Sequence, residues 1–490
     1  MKRQKYSLIF AFCPLPFAFC LLIFFSCLLG IPGWANGQES DLLKHPREMT
    51  FPPLSFNPPK AERTVLSNGM VVYLLENPEL PLIRVSAMIR TGSVFDPPGL
   101  SGLAELTAKV LRNGGTLYQT PQTINQTLEM MGAQVEFSME MEWGSASLFA
   151  RKQDFPRVLS IFADLLVNPG FDPSQVDLAR KAAIEAIRRS NDNPEEIAYR
   201  EFRRVLYRGN PRGEVPTLES IEQIRRGDLI AFYRKFFQPN NILLGISGDF
   251  KKKEMIESLE KVFRGWSRAL VEIPFIPLPS PQEGKSIHYA SKDLPQSTLL
   301  LGHLSLPLQH PDYFSFQVLN FILGGAGFNS RLTQEIRSNQ GLAYAVGSFY
   351  RGRVGYGVFG TFCQTKSQST HRVISLLYEI IEGMKKNPPG SESLDWARDA
   401  LINQFIFSFT SSAEVAQQQM KLEYDGLPDD YLEKYQERVS AVTLEDLGRA
   451  AREHLQPEKS ILMVVGKGED FDQSLSSFGA VQQIELKKYP

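Results

Sequence analysis

Apolar positions along this chain follow two periodicities. Met70 to Leu75 and Ile83 to Ile89 are short apolar runs separated by Asn77-Pro78 and Pro81, a pattern that predicts a strand–turn–strand unit. Over Leu103 to Arg112, Val176 to Arg189 and Leu229 to Phe237 the apolar residues instead recur at helical spacing. Strands grouped with several helices in each half of the chain predict two α+β domains around separate sheets.

The second half repeats the first. Asp228, Gln238, Pro239 and Gly248 recur as Asp446, Gln456, Pro457 and Gly466, each at an offset of 218 residues. Between the members of each set lies an apolar run, Ile242-Leu243-Leu244 in one and Ile461 to Val465 in the other. The reading is a helix, a Pro-broken turn and a buried strand ending in Gly, made twice by internal duplication. A proline-dense stretch at 271–285 separates the copies and predicts an extended linker. The domains are therefore expected at 62–270 and 286–487, with the same strand order.

Ahead of them, Lys2, Arg3 and Lys5 precede an uncharged apolar stretch, and no further charge follows until Glu39. Gly33-Trp34-Ala35 offers a small-residue cleavage site, so 1–35 reads as an export signal and 36–61 as a Pro-rich lead-in. The uncharged stretch is long, which leaves an uncleaved membrane anchor as the alternative. Export points to the periplasm or an equivalent space. Three of the four cysteines (Cys13, Cys20, Cys27) lie in that segment, so the mature chain keeps Cys363 alone and forms no internal disulfide. With 53 basic and 54 acidic residues the net charge is −1. That balance gives no electrostatic basis for nucleic acid as a partner.

The segment Asp96-Pro97-Pro98-Gly99-Leu100-Ser101-Gly102-Leu103-Ala104 ends a loop and opens a helix that continues Glu105-Leu106-Thr107-Ala108-Lys109. Here the chain resembles the pitrilysin/insulinase family of zinc peptidases, in the branch of the mitochondrial processing peptidase. In that family a Gly-Leu-Ala segment leads into His-x-x-Glu-His, whose histidines bind zinc and whose glutamate is the general base. The resemblance lays those positions on Glu105, Ala108 and Lys109, with the distal zinc ligand at Glu185. Alanine neither binds metal nor takes a proton, and an ammonium opposes a dication. No histidine occurs between His45 and His288, so the first domain has no imidazole for a zinc site. The remaining charges read either as a solvated Glu105–Lys109 pair or as a cluster in which Lys109 replaces the metal charge between Glu105 and Glu185.

The second domain carries Gly324-Gly325-Ala326-Gly327-Phe328-Asn329-Ser330-Arg331-Leu332, then Arg337 seven residues before Tyr344. This resembles the family's C-terminal signature, in which that arginine and tyrosine contact substrate near the zinc. Arginine and phenol donors suit a developing oxyanion. The plainer reading pairs Arg337 with Glu335 and packs Tyr344 in the core. No Gly-Lys-Ser/Thr follows the glycines, so Gly324, Gly325 and Gly327 read as a flexible loop at the chamber mouth rather than a phosphate cradle. Asn210-Pro211-Arg212-Gly213 also matches a family segment, with Asn210 where histidine is usual.

The resemblance covers about residues 62 to 470. It implies two mainly antiparallel sheets with helices packed on them, arranged as half of a clam-shell. It also implies a subunit without a cofactor or catalytic residues of its own. Such a subunit works with a zinc-bearing partner of the same family on peptide substrates, contributing Arg337 and Tyr344. The competing readings are a structural or peptide-holding scaffold and a self-sufficient peptidase with an unconventional metal site.

Overall fold

The computed structural model describes residues 56–487. The segment read as an export signal, the three cysteines in it and most of the lead-in lie outside those residues. None of the described helices is long and apolar enough to cross a membrane.

The first sheet has the spatial order β1-β2-β6-β3-β5-β4. Its strands are β1 (Glu62–Val65), β2 (Val71–Glu76), β3 (Leu82–Ile89), β4 (Gln134–Met139), β5 (Gly144–Arg151) and β6 (Ile242–Gly248). The second sheet has the order β12-β7-β11-β8-β10-β9. It contains β7 (Ser286–Ser291), β8 (Gln296–Ser305), β9 (Ala343–Gly352), β10 (Gly357–Lys366), β11 (Ile461–Gly466) and β12 (Val481–Ile484). Five strands share one order, β2-β6-β3-β5-β4 matching β7-β11-β8-β10-β9. The sixth does not: β1 comes from the start of its domain and runs antiparallel to β2, whereas β12 returns from the chain's end parallel to β7. The expected identity of strand order therefore holds for five of the six strands. The parallel pairs are β2–β6, β7–β11 and β7–β12, and the rest are antiparallel.

The repeated residues do the same work in both copies. Asp228 and Asp446 each sit three residues past a helix N-cap, accepting the backbone N–H of Arg225 at 2.7 Å and of Thr443 at 2.9 Å. These contacts satisfy donors that a helix start leaves open. Gln238-Pro239 and Gln456-Pro457 each open a 3₁₀ turn that feeds β6 or β11.

One face of each sheet is covered by helices of its own domain. The other face takes a helix from the opposite domain. Helix Pro194–Leu206 of the first domain lays Ile197, Phe202 and Leu206 on Leu300, Ile461 and Met463 of the second sheet. Helix Ser412–Asp425 of the second domain lays Ala416 and Met420 on Tyr73, Met88 and Leu243 of the first. These two helices also correspond at the 218-residue offset. Being covered on both faces, β6 buries every residue through Ser247 and β11 every residue through Gly466, which explains their apolar runs.

Candidate active-site remnant and the Arg337 cluster

The degenerate motif lies where its spacing put it, on helix Leu103–Asn113. Gly102 is its N-cap, at φ 101, a left-handed conformation that disfavours side chains. A Cβ there would also meet Ile221 Cδ1 at 2.6 Å. Asp96 accepts the N–H groups of Gly102 at 2.7 Å and Ala104 at 2.8 Å, standing in for a side-chain cap. Burial pushes its carboxyl up to about 7, against the pull of those backbone donors. Leu103, Leu106, Val110 and Leu111 point into the core, so Glu105 and Lys109 are left on the open side.

Glu105 is exposed to water, yet protein atoms crowd its carboxyl. That crowding raises its pKa; the charges of Arg203 and Lys109 pull it back, and Glu140 adds to the rise. Arg203 comes from the crossing helix Pro194–Leu206 and is held by the carbonyls of Arg212 at 2.6 Å and Glu214 at 2.9 Å. Glu185 lies on helix Pro173–Arg189 and pairs with Arg189 at 2.9 Å. Among the described residues no ion pair joins Lys109 to Glu105 or Glu185. The three-residue charge cluster is thus not assembled, because Glu185 has a partner one turn along its own helix. The simple pair reading changes too, since the cation that weighs most on Glu105 is Arg203.

These residues do not fit a zinc ion. Ala108 is buried with no donor atom, Lys109 is cationic and Glu185 is engaged elsewhere. Among the described residues, a group close enough to share a cation occurs in the second domain, as His310, Asp312 and His454. Its donors are committed to each other. Asp312 receives Arg449 Nη2 at 2.6 Å and His454 Nε2 at 2.8 Å, and its backbone N–H donates to His310 Nδ1 at 3.0 Å. This is an ion-pair network.

Arg337 and Tyr344 are brought together. The Arg337 guanidinium carbon lies 5.3 Å from the Tyr344 ring centre and 4.7 Å from that of Phe328. Tyr344 is 75% exposed and Phe328 67%. Glu335 is occupied by Asn339 at 3.0 Å and Gln340 at 2.7 Å, so the plainer pairing of Arg337 with Glu335 is not what forms. Among the described residues no acceptor meets the Arg337 side chain. Two π-helical turns lie here, Phe321–Gly325, which includes Gly324 and Gly325, and Thr333–Asn339, which carries Arg337; such wide turns are frequent at functional sites. The glycines differ in role. Gly324 is buried against β9, where a Cβ would meet Ser348 N at 2.3 Å, and so belongs to the packing rather than to a flexible loop. Gly327 has φ 57 and open space around it.

Asn210 and Arg212 form an anchor. Both are buried and both donate to the carbonyl of Pro277 in the linker, at 2.8 and 2.9 Å. Arg212 also meets Glu142 at 2.8 Å and lies over the Tyr356 ring of the second domain. Asn210, at the position where histidine is usual, fastens the linker to the first domain, and Arg212 beside it reaches the second through Tyr356. Sequence reasoning missed Arg203, whose effect on Glu105 joins distant helices, and Phe328, whose stacking on Arg337 depends on how the turn at Gly327–Asn329 aims its ring.

Models of the M16 peptidase family match two stretches, "Insulinase (Peptidase family M16)" over residues 71–215 and "Peptidase M16 inactive domain" over 223–401. The chain belongs to the M16 family. A "Non-peptidase homolog YmxG" of Helicobacter pylori is 23% identical over 78% of this chain and 88% of its own length. A "Probable mitochondrial-processing peptidase subunit beta" of Schizosaccharomyces pombe is 22% identical over 73% of this chain and 81% of its own. The solved structure of a peptidase M16 inactive domain from Pseudomonas fluorescens superposes with a TM-score of 0.76. It is 24% identical and covers 83% of this chain and 98% of that one. That likeness establishes the M16 fold of two domains. Together with the motif helix, these descriptions fit a non-catalytic member of the family.

Proposed function

We propose that this chain is the non-catalytic, substrate-binding subunit of a heterodimeric zinc peptidase in an exported, periplasmic space. A family partner with an intact His-x-x-Glu-His supplies the zinc, and this chain supplies Arg337 and Tyr344 to the peptide being cut. One observation carries the reading: Arg337 is held between a structured turn and two exposed rings with its N–H groups unclaimed among the described residues. A side chain fixed in this way, without an internal acceptor, suits an acceptor that arrives with a ligand. Hydrolysis places negative charge on the carbonyl oxygen, and preorganised donors stabilise it. Within this chain, Arg337 offers several N–H donors and Tyr344 one O–H. The export segment supports the location, and the relative named as a subunit supports the partnership.

Mixing the purified chain with an M16 subunit that carries the intact motif, beginning with one encoded beside it, tests the proposal. Chelator-sensitive peptide hydrolysis should appear in the mixture beyond what either chain shows alone. A mixture that assembles but gains no activity leaves a peptide-holding scaffold.

A further inference from the structure

We propose that Phe328 is a positioning residue for Arg337, its ring turning the guanidinium edge-on toward a planar oxygen acceptor such as a peptide carbonyl or terminal carboxylate. This rests on the functional reading above and adds a residue to it. A guanidinium is planar and carries its five N–H donors in that plane. Rings that pack on it leave the in-plane edge as the approach for a ligand. Phe328 and Tyr344 provide two such rings, at 4.7 and 5.3 Å from the guanidinium carbon.

The ring's mounting supports the role. Phe328 is 67% exposed, so it adds little to the core, and its principal aromatic contact is with the cation. It stands on the 3₁₀ turn Gly327–Asn329. Gly327 allows the left-handed step that starts this turn, and no neighbouring atom lies within 4 Å of where its Cβ would be. The glycine thus serves the backbone path alone. Behind the turn, fully buried Ser330 donates its hydroxyl to the Gly327 carbonyl at 2.7 Å and lies 3.0 Å from Thr333 Oγ1. The ring is carried on a short arch pinned at its base, beside a π-helical turn that carries Arg337.

Arginine-labelled ¹⁵N NMR of the full chain gives the first test, with the Arg337 Nε–H resonance assigned by its loss in Arg337→Lys. Ring currents should displace that resonance in the wild type and in Phe328→Tyr, and Phe328→Leu should move it toward the position of solvent-exposed arginines. A resonance that Phe328→Leu leaves in place overturns the proposal. The second test uses the assembled complex and a synthetic peptide. An exposed cation–π contact corresponds to a factor of roughly 2 to 5, so Phe328→Leu should lower kcat by about that much with KM little changed, and Phe328→Tyr should restore it. Normal kcat in Phe328→Leu beside a large loss in Arg337→Ala overturns the positioning role and leaves the functional reading standing. If Arg337→Ala itself has no effect, the functional reading falls, and the role of Phe328 in catalysis with it.

Discussion

Arg449 and His454, both on helix Leu444–His454, reach the carboxylate of Asp312 from 137 and 142 residues along the chain, and the acid is 6% exposed where they meet. Burial pushes its pKa up, and the two hydrogen-bonded partners more than offset this, holding it below the usual carboxylate range. A carboxyl whose pKa is lower folded than unfolded contributes stability above its unfolded value, and loses it as pH falls through the folded one. Arg449→Met should therefore cost about 1–2 kcal/mol at neutral pH, less than a fully buried pair because Arg449 is partly exposed. The difference from wild type should shrink below about pH 4; urea titrations at several pH values measure it, and a pH-independent difference contradicts the assignment. Gly102→Ala should lower stability by about 1–3 kcal/mol through its strained φ, read by the same titrations. At this scale the sequence was partly legible. The missing histidines and the recurrence of Asp228 as Asp446 are local facts, whereas the capping role of those two aspartates was not read from them. The link of Arg203 to Glu105 was hidden, because it joins two helices almost a hundred residues apart.

The crossing helices are the elements on which the architecture turns. Phe202 and Met420 are both buried, and each reaches the sheet of the other domain. Glycines in those sheets make room for them: a Cβ on Gly302 would meet Phe202 Cζ at 2.9 Å, and one on Gly245 would meet Met420 Sδ at 2.5 Å. Truncating either side chain leaves a cavity between domains. Phe202→Ala should cost about 3–5 kcal/mol and Met420→Ala about 2–5 kcal/mol, measured by chemical denaturation. A loss under 1 kcal/mol in both would show that the contacts are not sustained in solution. Apolar spacing singled out neither of these helices, although the repeat marked the chain as duplicated. It did not reveal the exchange, since an apolar stripe shows that a face is buried without naming what buries it. Nor did it separate β1 from β12, whose pairings depend on which chain end returns to the sheet.

As a whole molecule, the chain joins a first domain whose motif positions hold Glu105, Ala108 and Lys109 to a second with a formed Arg–aromatic cluster. The two are fastened by exchanged helices and by the Asn210 and Arg212 anchor on the linker. The described domains should therefore unfold in one transition, coincident by near-UV and far-UV circular dichroism; two separated transitions would contradict the coupling. The family resemblance made the two-domain plan and the Arg337–Tyr344 pair legible. The ring of Phe328 and the anchoring use of Asn210 needed coordinates. The central claim, that this chain lends donors to a partner's reaction, is met most directly by the turnover of the assembled complex carrying Arg337→Ala. That complex should lose about 10²-fold or more in kcat, with zinc content and assembly unchanged. Turnover equal to wild type in a fully assembled, zinc-loaded complex would contradict the claim.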